Sequence, residues 1–79
     1  MSIKPLNSLL PDEVAIINKF KEGNHLQTRF AEMGLIPGLQ VRLVKKAPFH
    51  GTLEIKIRSF YMSLRWEDAS QIMVKINNE

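Results

Sequence analysis

Leu53, Ile55 and Ile57 alternate with Glu54, Lys56 and Arg58, and no other feature of this chain restricts its fold as tightly. Strict period-two hydropathy places three apolar side chains on one face of an extended strand and three charged ones on the other. Such a strand is stable only when neighbouring strands share its dry face. The chain supplies candidates on both sides: the run Val14-Ala15-Ile16-Ile17 leading to Phe20, the segment Val41–Lys46, the pair Met62 and Leu64, and the closing series Ile72, Val74, Ile76. With only 79 residues there is material for one core and therefore one domain over 1–79. The hydrophobic content of 44% is that of a folded globular chain.

Turn chemistry separates these segments. Pro11-Asp12-Glu13 breaks the chain before the first strand, and Lys21-Glu22-Gly23-Asn24 ends it. Asn24 stands where a helix N-cap is expected, and Leu26, Phe30 and Met33 then follow at spacings of four and three, so one short helix runs from there to Gly34. Its apolar face is expected to close the open end of a small barrel. Ile36-Pro37-Gly38-Leu39 has proline and glycine at the central positions of a type II turn. Ala47-Pro48-Phe49-His50-Gly51 breaks the second strand from the third, Ser59-Phe60 reads as a tight reversal, and Trp66–Gln71 as one helical or 3₁₀ turn before the last strand. The expected architecture is mainly β: a small SH3-like barrel of about five short strands with one helix after the first.

Several strings occur in a fixed order: Arg29-Phe30-Ala31-Glu32-Met33-Gly34-Leu35-Ile36-Pro37-Gly38, then Ala47-Pro48, then Leu64-Arg65 followed by Glu67-Asp68-Ala69. Together they resemble the FeoA family over nearly the whole chain, Leu6 to Ile76. The resemblance implies an SH3-like domain of the cytoplasm that assists FeoB, the ferrous-iron transporter of the membrane, whose N-terminal part binds guanine nucleotide. It also relates the chain to the SH3-like domain at the C-terminus of iron-dependent repressors, so a regulatory module is the alternative. Asp12 stands where the family usually has the glycine of its first turn, and Ser59 where it often has a second, so both turns are expected to be strained. The loop Phe49-His50-Gly51-Thr52 departs from the glycine- and proline-rich form common in the family.

The residues themselves argue for binding over catalysis. The chain has no cysteine, which excludes a disulfide, a thiolate metal site and a thiol nucleophile. Its two histidines, His25 and His50, would have to converge with a carboxylate such as Glu22, Glu32 or Glu54 to hold a metal, and nothing in their spacing requires that. No glycine-rich loop leads into a helix, and no nucleophile sits beside a base, so neither a cofactor nor an enzymatic reaction is expected. Glu67 and Asp68 read as charges at the start of a helical turn. No apolar run approaches the roughly 18 residues of a membrane-spanning helix, and the N-terminus does not have the pattern of a secretory signal.

Net charge is +3. Lys45, Lys46, Lys56, Arg58 and Arg65 are expected on outward strand positions, where they blunt edges; nucleic acid is the weaker reading of them. Apolar residues in loops are more informative, because loops seldom carry them without a contact to make. Leu35, Ile36 and Pro37 after the helix, with Ala47, Pro48 and Phe49 in the later loop, are therefore the expected partner-docking surface, rimmed by Arg29 and Lys46. The competing possibility for Phe49 is that it folds back over the core.

Overall fold

Two hairpins, turning at residues 47–51 and 58–59, hold three of the strands, and longer connections bring the other strands beside them. A computed structural model describes residues 2–21 and 26–76, the side chain of Leu26 excepted. The elements are β1 (Ser2–Pro5), a 3₁₀ turn (Leu6–Ser8), β2 (Val14–Phe20), α1 (Leu26–Glu32), β3 (Gln40–Lys46), β4 (Thr52–Ile57), β5 (Phe60–Arg65), α2 (Trp66–Ala69) and β6 (Ile72–Ile76). The Gly23-Asn24 turn, the Asn24 cap, Glu22 and His25 lie outside the described residues.

Six antiparallel strands form one sheet in the order β1-β6-β2-β3-β4-β5. The expected five-stranded barrel is corrected in two respects: a further strand, β1, pairs with β6, and β1 and β5 remain free edges, so the barrel is curled without closing. Two bulges help it curl. One places Asn18 as an extra residue in β2 against β6, and the other places Val44 as an extra residue in β3 against β4. Each reverses the inward-outward parity of the strand beyond it. Phe20 thereby turns into the core alongside Ile17, and Lys46 comes to face the same side as its partner Leu53.

The inner face is continuous: Ala15, Ile17, Val41, Leu43, Leu53, Ile55, Ile57, Leu64, Ile72 and Val74 are almost wholly buried, with Leu6 and Leu9 of the first loop beneath them. Helix α1 seals one side through Phe30, whose ring stacks on Phe20 with centroids 5.5 Å apart. Its C-terminus is a Schellman motif: Leu35 N–H donates to the Phe30 carbonyl (2.9 Å) and Gly34 N–H to that of Ala31 (3.0 Å), with Gly34 at φ 93°. Phe30 and Leu35, at the two ends of the motif, are both fully buried in the core. The expected type II turn follows, with Gly38 at φ 92° and Leu39 N–H donating to Ile36 O at 3.2 Å. It hands the chain directly to β3, because Gly38 N–H and Leu39 O bond to Ile17 across β2.

Candidate functional site

The eight residues expected to form one docking surface do not stand together. Leu35 is 0% exposed and belongs to the core. Ile36 and Pro37 are exposed at the Gln40 end of β3, whereas Ala47, Pro48 and Phe49 follow its Lys46 end. The seven residues of β3 separate these groups by roughly 20 Å, six steps of about 3.3 Å. Sequence proximity of Leu35 to Ile36 conceals the division, because the Schellman motif drives the first inward and the second outward.

At the Lys46 end a cluster is assembled from four elements. The β3–β4 loop is closed at its base by Ala47 N–H donating to Thr52 O (2.8 Å). Phe49 and His50 both adopt left-handed backbone, at φ 59° and 55°. For an L residue this conformation costs about 1–2 kcal/mol, and for a bulky one such as phenylalanine it is a genuine outlier. It is held by the surroundings. The His50 ring lies flat on the Trp66 indole, with centroids 4.0 Å apart and planes at 4°. Gly51 packs so tightly that a Cβ there would come within 2.8 Å of the Ala47 Cβ. The consequence is that Phe49 is thrown outward and is 98% exposed, which decides against its folding back over the core.

Lys46 was expected at the rim of this surface, with outward cations on either side. The β3 bulge instead turns it inward, where its Nζ donates to the Asn7 carbonyl (2.9 Å) and lies 5.8 Å from the Trp66 ring centre. Asn7 Nδ2 in turn donates to the Trp66 carbonyl (3.2 Å), so the 3₁₀ turn, β3 and α2 are tied together beneath the loop. Arg29 is joined to the same region by an ion pair to Asp68 of α2 (3.3 Å). Asp68 thus anchors α1 in addition to its place at the start of a helical turn. Trp66, Asn7 and His50 were not among the expected site residues; only the lone tryptophan beside a strand end could have drawn attention to them.

At the other end of β3, a groove of about 710 Å³ is lined by Ile36, Pro37, Val14, Arg42, Lys56 and Arg58, among others. Here the structure gives Ile36 and Pro37 different neighbours from those expected. Among the described residues, no three histidine or acidic side chains converge where they could hold a metal ion, and no helix is long and apolar enough to cross a membrane.

The fold and the loop-borne cluster define an SH3-like module of mainly antiparallel β structure, its distinguishing side chains gathered at strand ends. The FeoA domain family matches residues 4–76, and the chain belongs to that family. FeoA proteins are accessory components of iron uptake and are generally non-enzymatic. The chain superimposes on a FeoA-like protein from Clostridium acetobutylicum with a TM-score of 0.88 at 20% identity, covering 100% of this chain and 92% of that one. A crystal structure of an iron uptake regulatory protein, FeoA, gives 0.83 at 20% identity over 95% and 97% of the two chains. A manganese-dependent transcriptional repressor is similar over 95% of this chain and 42% of its own, with a TM-score of 0.85 at 17% identity, so the fold is shared with one segment of such repressors. No curated protein matches the chain.

Proposed function

We propose that this protein is a cytoplasmic accessory factor of ferrous iron uptake that docks on the cytoplasmic, guanine-nucleotide-binding part of a FeoB-type transporter and modulates it. The docking surface is the β3–β4 loop, with Phe49 as its anchor and Pro48 and His50 beside it. The observation that carries this reading is the pairing of an almost fully exposed Phe49 with a loop held in unfavourable backbone by the His50–Trp66 stack. Strain of this kind persists where the surroundings over-determine it, and functional loops are where it concentrates. A rigid aromatic presented on a short loop loses little conformational freedom on binding and buries a large apolar area.

Membership of the FeoA family supports iron uptake as the setting. Burying the Phe49 side chain would contribute about 2 kcal/mol, roughly thirtyfold in affinity. Titrating the full chain with the transporter's nucleotide-binding domain, and following Trp66 fluorescence beneath the loop, tests this directly. Phe49→Ala is expected to weaken binding by that factor, and equal binding by the variant would remove Phe49 as the anchor.

A further inference from the structure

The groove at the Gln40 end of β3 has a composition that the docking loop does not explain. Its floor is the outer face of the sheet, where Val14, Arg42, Lys56 and Tyr61 stand side by side in register on β2, β3, β4 and β5. Arg42 and Lys56 are directly opposite one another, an arrangement of like charges that destabilises a sheet. Arg58 adds a third cation from the β4–β5 turn, at φ 53°. No acidic side chain of the described residues lines the groove. Glu13 bonds Leu10 N–H and Lys4, Glu54 faces Lys45, and Asp68 holds Arg29, so these carboxylates are engaged elsewhere. The Arg42 Nε–H is buried and has no acceptor among the described residues. What the groove offers an oxyanion is the parts of Arg42, Lys56 and Arg58 that line it.

The apolar lining is as telling as the charges. Ile36, 45% exposed, and Pro37 add apolar surface beside the Val14 of the floor, so an occupant must present apolar groups as well as negative charge. A strand of nucleic acid would call for several aromatic platforms along an extended basic stripe, whereas Tyr61, beside the groove, has the Lys56 ammonium over its ring, 5.5 Å from its centre. We propose that the groove takes an acidic peptide segment of a protein partner, its carboxylates on Arg42, Lys56 and Arg58 and an interleaved apolar side chain on Ile36 and Val14. The site is separate from the Phe49 loop and stands whether or not that loop binds a transporter.

The test is a selection of displayed heptapeptides on the immobilised full chain, followed by an NMR titration of the labelled chain with the most enriched peptide. The expected result is enrichment of sequences mixing Asp or Glu with apolar residues, and shifts confined to Val14 and residues 36–42 and 56–58. Lys56→Gln and Arg58→Gln, at partly or fully exposed positions that leave the core intact, should each weaken the peptide about fivefold. Enrichment without acidic residues, shifts elsewhere, or affinities unchanged in both variants would overturn the proposal. So would tighter binding of an oligothymidylate or of inorganic phosphate at the same residues, which would assign the groove to phosphate.

Discussion

Leu35→Ala and Phe49→Ala remove side chains that the sequence presents alike, as apolar residues in connecting segments, and the structure gives them opposite consequences. Leu35 is wholly buried in the core just after α1. Truncating a fully buried leucine to alanine loses its transfer free energy and leaves a cavity, about 3 kcal/mol in total. A chain of 79 residues is expected to have about 4–12 kcal/mol of stability, so this is a large fraction. At about 4–8 °C per kcal/mol for a domain of this size, the melting temperature should fall by about 12–24 °C. Phe49 touches solvent on nearly all sides, and alanine there should leave stability within about 0.5 kcal/mol. Thermal unfolding followed by far-UV circular dichroism, with binding measured well below the lower melting temperature, separates the two effects. Leu35→Ala should bind the transporter domain normally while folded, and Phe49→Ala should be stable and bind poorly. A Leu35→Ala protein that melts with the parent, or that is folded yet loses binding as strongly as Phe49→Ala, would refute the reasoning.

Other substitutions follow from the same geometry. Asp12→Gly should stabilise the fold by about 0.5–1 kcal/mol, because Asp12 sits at φ 73° while its N–H bonds Leu43 O, a bond that glycine retains; urea denaturation measures it. Gly38→Ala should cost about 1–2 kcal/mol in the same assay, from backbone strain alone, since nothing lies within 4 Å of the added Cβ. Lys46→Met should lose the Asn7 hydrogen bond and the contact with Trp66, costing about 1–2 kcal/mol and shifting the emission of the single tryptophan.

Much of the fold is legible in the sequence because alternation and turn chemistry agree. The segments at Val14–Phe20, Leu53–Ile57 and Ile72–Ile76, the Gly34 helix stop and the Pro37-Gly38 turn all stand where periodicity and backbone preference place them. Strand β1 is hidden because Ser2-Ile3-Lys4-Pro5 buries none of its side chains fully and joins the sheet through its backbone beside β6. The bulges at Asn18 and Val44 are hidden for a different reason: parity along a strand can be read only until an extra residue reverses it. Lys46 therefore turns inward against the alternation, and the Lys46–Trp66–Asn7 group that supports the loop has no signature in the linear chain. The turn before β5 shows a smaller displacement. The positive φ falls on Arg58, one residue before the Ser59 position at which a glycine was expected, and the reversal is the Arg58-Ser59 pair between Ile57 and Phe60.

The docking residues divide in the same way. Ile36, Pro37, Pro48 and Phe49 are exposed, but the linear chain does not distinguish one surface from two. The separation depends on the length of β3, which carries Ile36-Pro37 and Phe49 to its opposite ends. Two separate faces on one small module would permit the proposed docking loop and the proposed peptide groove to be occupied at once. That arrangement suits an accessory protein that connects components of an uptake system.

The most direct test of the central claim is a two-dimensional NMR titration of the labelled full chain with the guanine-nucleotide-binding domain of a FeoB-type transporter. The account predicts shifts concentrated at Ala47 to Gly51 and at the Trp66 indole, abolished by Phe49→Ala. Absence of shifts at high partner concentration, or shifts that leave this loop untouched, would contradict it.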